Sequence, residues 1–201
     1  VEGRPRVISR IADKVFGILL ALNPSNEGGK AIADVLFGDY NPNGKLPFTY
    51  PRSTNNYLTY DHKLFEVEET SFGNVATSPQ FNFGTGLSYT SYEYSDLQLD
   101  KQSIPMNGKV NVSFKVTNTG QRSGKETAIL YLRDEVATIV PPGRRVRRFA
   151  KVSLDPGQSK TLTFKLTGED FSFIGINNKP QIEPGDFTVL VGNLSKTFTL
   201  K

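Results

Sequence analysis

The densest group of reactive side chains is "YDHK" at 60–63, where Tyr60, Asp61, His62 and Lys63 place an aromatic ring, a carboxylate, an imidazole and an ammonium in one polar loop. A flat ring beside hydrogen-bonding groups is the makeup of a small-ligand or sugar site. An ordinary polar connector has the same composition. Asp61 and His62 are therefore candidate substrate-binding residues at a pocket entrance. Carboxylates are the next resource, because two facing carboxyl groups can divide acid and base roles between them. Asp34 and Asp39 fall near the end of a helix, and Glu66, Glu68 and Glu69 fall in a connector. Isolated acidic residues of this kind belong on solvated surface.

Other chemistries find little material. The chain has no cysteine and a single histidine, His62, which removes thiolate nucleophiles and thiolate or clustered-imidazole metal sites. Asp134 and Glu135 are adjacent but lack the alternating oxygen-ligand spacing of a calcium loop. "GDYNPNGK" separates its glycines by five residues and follows Lys45 with Leu46, so it is no phosphate loop, and "FGTGLSY" carries Tyr89 where a dinucleotide fingerprint needs glycine. Gly84 and Gly86 instead suit a tight turn. A net charge of +4 over 201 residues is mild, and the basic residues gather only in "GRRVRRFAK", with Arg144, Arg145, Arg147, Arg148 and Lys151. This cluster would suit a polyanion; with Val146 and Phe149 as its buried positions, it also suits a charged edge strand. Neither nucleic acid nor a membrane is indicated: the longest apolar run, "VFGILLAL" at 15–22, is far short of the roughly 20 residues that span a bilayer. Asn111 and Asn193 match glycosylation acceptors, but both sit in or beside strand patterns.

The elements that must position these residues divide into two styles. Residues 15–22 predict a strand buried on both faces, as in a parallel sheet. "NPSNEGG" breaks the chain, and a helix follows from Gly29, with Ile32, Val35 and Leu36 at helical spacing and Gly38 as its stop. "KLPFTYP" predicts a short marginal strand, confined by its prolines to a sheet edge. One strand, one helix and one marginal strand cannot cover both faces of a parallel sheet. Residues 55–90 predict a long connector. From about residue 91 the pattern turns to short strands: "VNVSFKV", "TAILYL", "RFAKVSL", "TLTFKL", "DFSFI", "DFTVLV" and "KTFTL", parted by turns such as Asp155-Pro156-Gly157 and Glu183-Pro184-Gly185. Seven strands in this length predict an immunoglobulin-like or fibronectin type III-like sandwich.

"EGRPR", "NPSNEGGKAIADVLFGDYNPNGKLPFTYPRS", "FNFGTGLSYTSYEYSDL", "VTNTGQRSGKETAILYL", "KVSLDPGQSKTLTFKLTGEDFSFIG" and "PQIEPGDFTVLVG" occur in this order. Together they make the chain resemble the C-terminal part of glycoside hydrolase family 3 enzymes, the β-glucosidases and β-xylosidases with a fibronectin type III-like third domain. The resemblance implies an α/β remnant over 1–54, a connector over 55–90 and a β-sandwich over 91–201. It implies a complete enzyme that is exo-acting, retaining and free of cofactors, acting on terminal non-reducing β-D-glucosyl residues in the periplasm or outside the cell. Its aspartate nucleophile and glutamate acid/base would stand upstream, so this chain would hold no catalytic residue, no metal, and a structural role. Its partner would be the N-terminal barrel and α/β portion, with a homodimer left open. Two competing readings are a freestanding carbohydrate-binding or adhesion module, which requires exposed aromatics along one sheet face, and an autonomous hydrolase with its site in residues 1–90.

Overall fold

The computed structural model describes residues 3–56, 60, 63 and 78–201. They divide into two compact units, 1–89 and 90–201.

The first unit holds α1 (Ser9–Ala12) and α2 (Gly28–Phe37). The helical spacing after Gly29 is realised in α2, which ends where Gly38 adopts the left-handed conformation at φ 87°, a geometry that glycine enters without a Cβ clash. The strand expected over 15–22 is absent. Those residues pair with nothing in the described structure, and Val15, Phe16, Ile18 and Leu19 lie in solvent, Phe16 completely. The physical reason is that a strand needs hydrogen-bonding neighbours, and among the described residues none lies beside this segment. "KLPFTYP" is as marginal as its prolines require: it makes one isolated antiparallel bridge, Tyr50 to Phe81.

Residues 78–89 fold back along 41–50. Leu46 N–H donates to the Thr85 carbonyl (2.9 Å), Gly84 N–H to that of Leu46 (2.8 Å), and Gln80 N–H to that of Tyr50 (2.9 Å). At Gly86 a Cβ would sit 2.1 Å from the Gly44 carbonyl oxygen, so the "GTG" turn depends on glycine for close approach. Tyr50 is the unit's one buried apolar side chain among the described residues, its hydroxyl donating to the Arg6 carbonyl (2.8 Å).

The second unit is a two-sheet sandwich. Its strands are β1 (Tyr92–Leu99), β2 (Ser103–Ile104), β3 (Val110–Asn118), β4 (Gly124–Asp134), β5 (Arg145–Leu154), β6 (Ser159–Leu166), β7 (Phe173–Ile174), β8 (Pro180–Gln181), β9 (Gly185–Val191) and β10 (Leu194–Leu200). One sheet runs β1-β3-β6 and the other β2-β10-β9-β4-β5, with β7-β8 a small ribbon. The period of two in "VNVSFKV" is realised: Val110, Val112, Phe114 and Val116 are fully or almost fully buried on β3. They form one core with Leu130 and Leu132 of β4, Val189 and Val191 of β9, and Phe198 and Leu200 of β10.

"DFSFI" is only partly a strand. Its first residues form α3 (Gly168–Phe171), because Thr167 and Asp170 make a capping box that closes a helical turn before β7. That turn inserts Phe171 into the sandwich, 5.5 Å from both Phe187 and Phe198 between ring centroids. Asp170, itself buried, also takes a two-pronged bond from Arg148 (2.6 and 2.7 Å), the planar pairing at which arginine is strongest. Two further polar groups tie the core. Asn118 uses its whole hydrogen-bonding capacity, donating to the Arg122 and Leu154 carbonyls and accepting from Thr90 Oγ1 and Gly120 N–H. The Tyr94 hydroxyl donates to the buried Glu126 carboxylate (2.8 Å), joining β1 to β4 across the sandwich, and burial pushes the phenol's pKa upward.

Asn118→Ala orphans carbonyls in a dry site, so denaturant titration of the chain should show the second unit losing about 2–3 kcal/mol. Asp170→Ala removes both the cap and the arginine's partner and should cost about 2 kcal/mol or more, whereas a surface change such as Lys160→Ala should stay within about 0.5 kcal/mol.

Candidate functional site

Among the described residues of the first unit, the carboxylates that could do chemistry are solvent-accessible and spread along α2 and its end. Asp34 is engaged by Lys30 one helical turn away, its oxygens 2.7 and 3.0 Å from the ammonium, and this exposed pair raises the lysine's pKa. The neighbouring Asp39 is a minor contributor to the same shift. Asp61, His62, Glu66, Glu68 and Glu69 lie outside the described residues. No group of three or more His, Asp or Glu that would hold a metal occurs among the described residues.

What the first unit does present is unpaired apolar surface. Val7, Ile11, Val15, Phe16, Ile18 and Leu19 are exposed along the N-terminal stretch, and Leu36 and Phe37 at the end of α2. Among the described residues this unit buries one apolar side chain and leaves these aliphatic side chains exposed, so they close no core of their own. Residues 15–22 combine the apolar pattern of a sheet interior with no pairing strand among the described residues.

The basic cluster in β5 is largely occupied within its own unit. Arg148 holds Asp170, and Arg145 and Arg147 donate to the Ser172 carbonyl (3.4 and 3.5 Å). Phe149, expected inside, is 71% exposed. The reason is strand parity: Val152 and Leu154 face the core, so Ala150 and Arg148 share their face and Phe149 must point out. A bulge at Arg147 then turns Val146 to the outer side opposite Tyr131. Arg144 lies over the Tyr131 ring at 4.6 Å, so Tyr131 and Phe149 do not offer two open rings for a sugar to stack on. An inward-facing arginine on an edge strand also resists edge-to-edge association, and β5 is such an edge.

One pair of carboxyl groups has environments that push in opposite directions, the pattern that marks acid/base partners in glycosidases. Asp134, at the end of β4, has its pKa raised to about 6, chiefly by desolvation and also by Glu183, while Glu183 is held below its usual value by Thr138. The pair is nevertheless not a catalytic couple. Asp134 Oδ1 is buried rather than open to a cleft. Both Glu183 oxygens are already accepting, from Thr138 N–H (2.8 Å), Thr138 Oγ1 and Gln181 Nε2 (3.0 Å). Nothing in the sequence flagged Asp134 beyond its place beside Glu135.

Comparison with known proteins agrees with this distribution. Residues 1–89 match the model of the glycosyl hydrolase family 3 C-terminal domain, and residues 126–195 that of a fibronectin type III-like domain. The chain is similar to a lysosomal beta glucosidase of Dictyostelium discoideum, 40% identical over 96% of this chain and 24% of that protein. It is also similar to a periplasmic beta-glucosidase of Salmonella typhimurium, 37% identical over 96% of this chain and 26% of that one. A solved β-glucosidase structure from Erythrobacter marinus superposes with a TM-score of 0.90 at 36% identity, over all of this chain and 27% of that one. The chain thus spans about a quarter of the length of the relatives it matches. With the domain-model matches, the order of its elements and the full-length superposition in agreement, the chain belongs to glycoside hydrolase family 3, as an α/β C-terminal portion followed by a fibronectin type III-like domain.

Proposed function

We propose that this chain is the structural C-terminal portion of an exo-acting, retaining β-glucosidase-like enzyme that removes terminal non-reducing β-D-glucosyl residues. In this reading 1–54 completes an α/β sandwich, 55–90 connects, and 91–201 is the bracing sandwich. The observation that carries it is the apolar run at 15–22, exposed over 15–19 and unpaired among the described residues, in a unit that buries one apolar side chain among them. Such a segment gains its hydrogen bonds and its burial from strands supplied by an upstream barrel and α/β portion. The two carboxylates of retaining hydrolysis stand on that portion, with one as nucleophile and the other as acid then base. The domain-model match and the β-glucosidase relatives support the same assignment. Relatives named lysosomal and periplasmic favour a periplasmic or extracellular setting over the cytosol. The mixed character of the 60–63 loop supports a place for Asp61 and His62 at the pocket entrance, where they would orient the leaving sugar rather than react.

A chimera in which this chain replaces the corresponding quarter of the Erythrobacter marinus β-glucosidase should hydrolyse an aryl β-glucoside, and the isolated 201-residue chain should not. Turnover by the isolated chain, or a folded chimera without activity, would contradict the reading. Phe16→Asp combined with Ile18→Asp in that chimera should abolish assembly, seen as loss of activity and of a single cooperative melt, because each buried charge costs several kcal/mol (about 2–5). Asp61→Ala with His62→Ala should lower kcat/KM for gluco-oligosaccharides by about tenfold, one to two hydrogen bonds' worth, and unchanged kinetics would remove both residues from the site.

A further inference from the structure

The loop that joins β4 to β5, residues 135–144, is fastened at its root by carboxylates. Glu135 accepts from Arg133 Nε (2.9 Å) and from Thr188 Oγ1, while its N–H donates to the Asp186 carbonyl (3.0 Å). Across the loop, Glu183 receives both the N–H and the hydroxyl of Thr138. Asp134 ends β4, directly before Glu135. Its Oδ1 is buried and meets no hydrogen-bond donor. The Val136 N–H and the Arg145 guanidinium favour its charged form, whereas burial and the charges of Glu183 and Glu135 disfavour it. Desolvation and two neighbouring carboxylates shift such a carboxyl toward its neutral form.

We propose that Asp134 is a pH-sensitive latch for the β4–β5 loop: neutral, it lets Glu183 and Glu135 hold the loop down, and ionised, it repels them and loosens the Glu183–Thr138 fastening. The loop displays Val136 and Val140, which are 75% and 59% exposed, so its release changes the apolar surface that this end of the sandwich presents. The sign follows from linkage. The folded-state pKa of Asp134, about 6, lies above its ordinary value of 3.8, so the stabilisation it contributes is complete below that ordinary value and is lost as pH rises through about 6. The latch therefore grips in mildly acidic solution and relaxes at neutral pH.

The full 201-residue chain, labelled for NMR, tests this between pH 4.5 and 8. The Asp134 side-chain carbon signal and the Thr138 amide signal should titrate with one shared midpoint about two units above that of a free aspartate. The protection of the Thr138 amide from hydrogen exchange, corrected for the intrinsic rate, should fall severalfold across the same range. Asp134→Asn should keep the fold by circular dichroism, hold Thr138 protected throughout and abolish its titration. Glu183→Gln should lower the Asp134 midpoint. A midpoint near that of a free aspartate, a Thr138 signal that does not follow Asp134, or a pH profile that survives in Asp134→Asn and so belongs to another group such as His62, would each overturn the latch.

Discussion

Every backbone N–H and C=O withdrawn from water must find a partner, and a strand finds its partners only in neighbouring strands. That constraint organises both units. In the second it is met: strands paired through two sheets leave their alternating apolar residues free to close one core between them. In the first it is not met over residues 15–22, which have the composition of a sheet interior and no strand beside them among the described residues. The chain spans about a quarter of the length of its relatives, and the exposed apolar stretch lies in the unit that matches their C-terminal domain.

The sandwich achieves its closure with few polar ties. Asn118 saturates four hydrogen bonds at the junction of three loops, Glu126 receives Tyr94 across the two sheets, and Asp170 serves a helical cap and an arginine at once. These ties explain why "VTNTG" and "TGEDF" read as motifs. They are fastening points of the fold rather than remnants of a catalytic site. The basic run 144–151 has the same origin, since three of its arginines turn toward α3 and the Ser172 carbonyl.

The fold was legible wherever a single periodicity decided burial. Val110 to Val116 announce β3 by alternation alone, and α2 is announced by Ile32, Val35 and Leu36 before Gly38. Reading failed where two rules competed. The apolar residues of "DFSFI" suggested a strand, but the Thr167–Asp170 capping box won the first turn. Phe149 looked buried by type, yet the parity set by Val152 and Leu154 put it outside. Asp134 was invisible because burial, and after it the distant Glu183 carboxylate, raises its pKa, and no local pattern encodes either. Asp61 and His62, legible as chemistry, lie outside the described residues. Residues 15–22 are a different case. Their apolar pattern reads as a sheet interior, but no strand pairs with them among the described residues.

Hydrogen exchange over residues 15–22 measures that lack most directly. In the isolated 201-residue chain these amides should exchange at close to unprotected rates while β3 and β9 remain slow, and protection should appear once the upstream portion is joined. Slow exchange across 15–22 in a monomeric, isolated chain would mean that the segment is already paired and covered, and it would contradict the account.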